Sequence, residues 1–186
     1  MSTPALTLWK QFHWLFFINT QGLLVCLRRL KNALQANQIE EAKIEFKTAV
    51  SLLRASGASM EMAGQFSKAE YEKEVRPTMQ APQMPNDNFS GLMSRDHSAL
   101  VRLWYELRPF FKNLPQELHP YHRDFYKAYE FLANSHRAVC KRFVGSENGS
   151  IRTENNSAID ILDMYLRNRS NIIAPKKISG CPIHQN

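Results

Sequence analysis

Apolar residues recur along this chain at steps of three and four, the spacing that places them on one face of a helix. Over residues 5–35 the stripe is Leu8, Phe12, Leu15, Phe16, Leu23, Leu27 and Leu30, interrupted only at the polar pair Asn19-Thr20. Ala36-Asn37-Gln38 then makes a short connection into a second predicted helix over 39–55. Its buried side carries Ala42, Ile44, Phe46, Ala49, Leu52 and Leu53, and Ser56-Gly57 is expected to end it. A third helix is predicted over 60–75, with Met60, Met62, Ala63, Phe66 and Tyr71 apolar and Pro77 helping to stop it.

Residues 77–92 read as a loop, because Pro77, Pro82 and Pro85 forbid regular helix and Asn86-Asp87-Asn88 favours turns. Ser94 is a good N-cap for a fourth helix reaching about residue 108, where Pro109 stops or kinks it. A fifth helix should start near Pro120, with Phe125, Ala128, Leu132, His136, Val139, Cys140 and Phe143 on one face. A polar loop over 145–155 leads to a sixth helix over 157–166, and an irregular basic tail follows from about residue 171. Helices joined by short turns, with few β-branched runs, predict an all-α helical bundle, one domain spanning residues 1–186.

Composition adjusts this picture at three points. With 44% hydrophobic and 11% aromatic residues the chain is globular. The formal charge of +7 invites a nucleic-acid partner, but the basic residues are dispersed and carry no recognition signature, so none is expected. Such an excess also suits an anionic cofactor or an acidic small molecule. The cysteines at 26, 140 and 181 make an odd count without paired spacing, which argues against a disulfide framework and for a reducing cytoplasm. The apolar run over 14–27 includes Asn19, Thr20, Gln21 and Gly22, too polar for a membrane span.

The candidate chemistry lies between His97 and Cys140. His136 and Cys140 are four apart and so share one helical face, and 38 residues separate His97 from His136, room to finish one helix and return on another. A neutral imidazole is a common iron ligand, and a thiol one turn on can reach the rim of whatever that imidazole holds. On spacing alone both residues serve equally as core: a free Cys on an apolar face is usually a small hydrophobe. His119 and His122 lack a third ligand and read as exposed or capping. The aromatic crowd of Trp9, Phe12, Trp14, Phe16 and Phe17 reads first as core packing and second as the wall of an aromatic pocket.

The segments Val75-Arg-Pro-Thr-Met-Gln-Ala-Pro82, Asn88-Phe-Ser-Gly-Leu-Met-Ser-Arg-Asp-His97 and Asn134-Ser-His-Arg-Ala-Val-Cys-Lys-Arg-Phe-Val-Gly145 resemble the heme-dependent L-tyrosine hydroxylases. These belong to the tryptophan 2,3-dioxygenase-like superfamily of heme-dependent aromatic oxygenases, and their hallmark is a His, a long gap, then H-x-x-x-C. The resemblance covers residues 74–155 well and implies a tryptophan 2,3-dioxygenase-like helical fold. It implies a heme ligated by His136, with His97 at the opposite face as sixth ligand or distal acid–base group, and one thioether bond through Cys140. Arg95 and Arg142 are the expected cofactor-binding cations; Arg76, Phe89, Ser90 and Ser150 are expected to line the substrate. Arg76 serves equally well as a surface or capping charge. Thr20-Gln21 stands where the dioxygenases carry a distal His-Gln pair.

The implied activity is peroxide-dependent 3-hydroxylation of L-tyrosine or a derivative to a catechol, with hydrogen peroxide or dioxygen as oxidant. A different phenol or an indole substrate stays open, as do a bis-histidine electron-transfer or sensor protein and a helical interaction module without heme. A homo-oligomer is expected by the same resemblance.

Overall fold

The computed structural model describes residues 3–79, 94–144, 149–150 and 153–174, the side chains of residues 144, 149–150 and 153–159 excepted. Helix α1 (Pro4–Gln35) starts where the Thr3 hydroxyl accepts a hydrogen bond from the Leu6 N–H and Pro4 occupies the first turn. It ends at Asn37, whose φ of 53° is the left-handed conformation that asparagine tolerates better than most residues.

Helix α2 (Ile39–Ala63) runs past the stop expected at Ser56-Gly57. Gly57 is a buried contact point: a Cβ there would lie 2.5 Å from Phe131 Cε1 and 3.3 Å from the Leu132 backbone, so the missing side chain lets two helices approach. The stop comes at Gly64. The helix expected over 60–75 is therefore split. Its first residues belong to α2, and a new start at Ser67 is fixed by a capping box with Glu70. The resulting α3 (Lys68–Glu70) widens into a π turn over Tyr71–Val75 and tightens into a 3-10 turn over Arg76–Met79, which Pro77 does not prevent.

Helix α4 (Arg95–Lys112) is capped by Ser94, whose hydroxyl accepts the His97 N–H at 3.1 Å, as the sequence suggests. It continues through Pro109. Tyr105, the residue whose carbonyl loses its partner there, is exposed, so water can take the bond. Helix α5 (His119–Val144) follows a 3-10 turn over Gln116–Leu118, and α6 (Ala158–Ile173) extends beyond its expected end because Ile172 and Ile173 are buried. The segment read as a polar loop contains a small antiparallel ladder, β1 (Gly149–Ser150) with β2 (Thr153–Ser157), pairing Gly149 with Ser157 and Ser150 with Thr153.

The fold is all-α, a helical bundle. α1 packs on α2, α2 on α5, α5 on α6, α6 on α4 and α4 back on α1, a closed ring of five helices. The ring encloses a core of Leu23, Leu27, Leu30, Phe46, Leu53, Leu103, Leu107, Phe111 and Phe125 with their neighbours. α5 is tied to α6 by Arg137, which donates to both oxygens of Asp163 at 2.7 and 3.1 Å. His122 is not exposed. Its Nε2 donates to the Ile173 carbonyl at 2.7 Å, closing α6, and its ring lies against Phe111.

A second, smaller cluster of Ala5, Phe66, Tyr71, Val75 and Phe143 closes the end of the ring where α1 begins and α2 and α5 finish. Among the described residues no helix is long and apolar enough to cross a membrane.

Candidate active site

His97 stands in the first turn of α4, and His136 and Cys140 lie one turn apart near the end of α5; all three side chains are partly buried. The two imidazoles are near enough for the charge of one to act on the other. Burial first, then the neighbouring charges of Arg169 and His136, brings His97 down to about 4. Burial, then His13 and Arg169, brings His136 down to about 4 as well. Both rings are therefore neutral at ordinary pH, the form that ligates a metal. Burial also holds the Cys140 thiol up at about 11, so it is protonated.

Two residues of this cluster were not legible in the chain pattern. His13 comes from α1; its Nδ1 donates to the Trp9 carbonyl at 2.8 Å, its ring lies 3.9 Å from the Trp9 ring, and burial lowers its pKa. Its local signal was weak, a single histidine inside an aromatic stretch. Arg169 comes from α6, and its Nη2 donates to His97 Nε2 at 2.5 Å, so the neutral His97 ring carries its own proton on Nδ1. The partner of His97 is a residue 72 positions away, not its sequence neighbour Asp96.

The aromatic residues wall this end of the ring. Tyr71 stacks on Phe143 with centroids 4.5 Å apart, Phe66 stacks on Phe143 at 5.0 Å, and Trp9 meets Tyr71 and Phe66 edge-on at 5.9 and 6.3 Å. The Tyr71 hydroxyl is raised above its ordinary pKa by burial.

The other sequence candidates are distributed more widely. Arg76 Nη1 lies 3.8 Å from Glu72 Oε1, a half-exposed pair one turn apart. Arg142 donates from Nη1 to the Gly64 carbonyl at 2.9 Å and so closes α2. Arg95 is exposed at the start of α4. Phe89 and Ser90 lie outside the described residues, and Ser150 is described only by its backbone on β1. In α1 the buried Thr20 hydroxyl donates to the Phe16 carbonyl at 2.9 Å, Gln21 is exposed, and Asn19 Nδ2 is buried without an acceptor among the described residues.

The donor set fits a heme of the kind the resemblance implies. Among the described residues no hydrogen bond engages the His136 ring, which leaves a neutral nitrogen free to ligate. Cys140 offers a thiol one turn on. Among the described residues no three His, Cys, Asp or Glu side chains converge to hold a bare metal ion; imidazole nitrogens are the donors that would hold a heme iron.

Comparison with known proteins decides the family. Residues 1–121 match the profile of the SfmD 3-methyl-L-tyrosine peroxygenase family. The chain belongs to that family. The matched span includes His13 and His97, and His136 and Cys140 lie beyond it. A 3-methyl-L-tyrosine peroxygenase of Streptomyces lavendulae is 25% identical over 168 residues, an alignment covering 89% of this chain and 46% of the relative. The chain thus spans about half the length of that relative. An alignment of this extent within 186 residues necessarily takes in His97, His136 and Cys140. No solved structure matches.

Proposed function

We propose that this chain is a heme-dependent aromatic peroxygenase that uses hydrogen peroxide to hydroxylate the ring of L-tyrosine or a tyrosine derivative beside its phenol oxygen. The balance is one phenol and one hydrogen peroxide consumed, one catechol and one water formed. The observation that carries the reading is the meeting of neutral His97 and His136, from different helices, beside the Cys140 thiol and under an aromatic wall. The family membership supports the same activity, since the relative of Streptomyces lavendulae is a 3-methyl-L-tyrosine peroxygenase.

In this reading His136 would hold the heme iron, and the Cys140 thiol would add to a vinyl group of the porphyrin to form one thioether bond. Bound there, heme supplies the oxidising chemistry that peroxide alone lacks. The protein's share is position and protons. The neutral His97 ring would take a proton from one peroxide oxygen and return it to the other. Trp9, Phe66, Tyr71 and Phe143 pack on one another and exclude water from this end of the site. Arg95, Arg142, Arg76, Phe89, Ser90 and Ser150 keep their proposed places around cofactor and substrate, with Arg142 needing to leave the Gly64 carbonyl to serve.

The same reading puts the protein in the cytoplasm, where the free Cys26 and Cys140 stay reduced. It also includes self-association. Trp14, Ile18 and Val25 form an exposed apolar line on α1, a surface that a second copy can cover. Light scattering should report a dimer that Trp14→Glu with Ile18→Glu converts to monomer.

Expression with ample heme should give a coloured protein whose heme survives acid–acetone extraction. Cys140→Ser should keep the colour and lose that resistance, and His136→Ala should lose the heme. His97→Ala should retain heme while peroxide-dependent catechol formation falls by about 10²–10⁴-fold. A colourless wild-type protein, or one coloured but inert towards tyrosine, 3-methyl-L-tyrosine and peroxide, removes the proposal; the inert case leaves an electron-transfer or sensing heme.

A further inference from the structure

Arg169 is a partly buried cation with no anion beside it among the described residues. Among the described residues no carboxylate lies within ion-pair distance of its guanidinium. Its partners are instead neutral or weakly polar: His97 Nε2 at 2.5 Å, the face of Tyr165 at 5.0 Å, and the Tyr129 hydroxyl. The surroundings hold a second donor without an acceptor. The Trp104 indole N–H is buried and has no acceptor among the described residues, and its ring stands edge-on to Tyr129 at 5.2 Å.

A guanidinium carries five donors in a planar fork and accepts nothing, so one imidazole nitrogen leaves most of its capacity unused. A buried charge without a counter-ion is costly, and so is a buried indole N–H without an acceptor. Both costs fall if a ligand carrying a carboxylate enters, because its two oxygens match the fork and offer further lone pairs.

We propose that Arg169 forms a carboxylate-binding site on α6 and that filling it releases His97. In the structure the guanidinium caps His97 Nε2, the nitrogen that must be free for ligation or proton transfer. An entering carboxylate draws the fork away and uncovers that nitrogen, so ligand binding and competence of His97 are coupled through one side chain. The site deepens the peroxygenase reading and rests on it for its ligand. The carboxylate belongs either to the amino-acid substrate or to a heme propionate, and both present the same chemistry to the fork.

Calorimetry on the full chain separates the two sources. One arm compares L-tyrosine with tyramine, which lacks the carboxylate; the other compares hemin with its dimethyl ester. Wild type should prefer the carboxylate form by about tenfold or more in at least one arm. Arg169→Gln should bring that ratio close to one, and Arg169→Lys, which keeps the charge but not the fork, should restore part of it. Independently of any variant, the carboxylate ligand should shift the ¹⁵N resonance of His97 Nε2 in wild type, and its uncharged counterpart should not. Ratios unchanged in Arg169→Gln, ratios near one in wild type, or a silent His97 resonance overturns the proposal. Loss of catechol formation with the ratios intact removes the peroxygenase reading and leaves the site. Intact turnover with Arg169-independent ratios does the reverse.

Discussion

At the scale of single residues, the glycines of α2 and α1 act through contacts rather than turns. A Cβ at Gly57 meets the Phe131 ring at 2.5 Å and the Leu132 backbone at 3.3 Å, and the backbone cannot rotate away. Gly57→Ala should therefore cost about 1–2 kcal/mol in a denaturant titration, overpacking exceeding the gain in helix propensity. At Gly22 the nearest atom is the far end of the Leu52 side chain at 3.3 Å, which can move. Gly22→Ala should be neutral or stabilising by up to about 1 kcal/mol, and the opposite ordering of the two variants would refute the contact argument. The cysteines differ in the same local way. Cys26 donates its thiol hydrogen to the Glu45 carbonyl at 3.0 Å, and burial, then Glu45, holds it up at about 12, so it should resist alkylation in the folded protein. His13 and Arg169 escaped the sequence pattern because each belongs to the site only through helices distant along the chain.

At the scale of elements, most helices were legible and their ends less so. Ser94 was readable as a cap because its hydroxyl serves the N–H three residues on, a purely local bond. Ser94→Ala should lower stability by about 1 kcal/mol. The false stop at Gly57 came from reading a glycine as a terminus when its role depends on α5, which no local rule contains. α6 was underestimated because Ile172 and Ile173 are buried by the bundle rather than by their own periodicity. Its docking includes the two-pronged bond from Arg137 to Asp163, and that bond holds the Asp163 carboxyl below its ordinary range. Asp163→Asn should lower the denaturation midpoint only slightly, as the loss of a solvent-screened ion pair does. Because α6 carries Arg169, hydrogen exchange in that helix should rise more than in α2.

At the scale of the whole molecule, the ring of helices sets the pH range over which the protein without cofactor is stable. His97 and His136 are brought down to about 4 in the fold from an ordinary value of 6.5, so the folded state binds fewer protons than the unfolded chain between those values. Their contribution is complete above about pH 6.5 and is lost as the pH falls towards 4. Heme-free protein should therefore lose thermal stability between pH 6.5 and 4, and His136→Leu should flatten that fall; an unchanged slope would show that these rings do not govern it. Sequence alone determined the helical class, the Ser94 cap and the pairing of His136 with Cys140, because helical period and capping are properties of a few adjacent residues. Only the tertiary structure decided that α1 contributes His13, that α6 lays Arg169 on His97 and that Gly57 is a crossing point, because each is a contact between segments whose separation along the chain carries no record of their meeting.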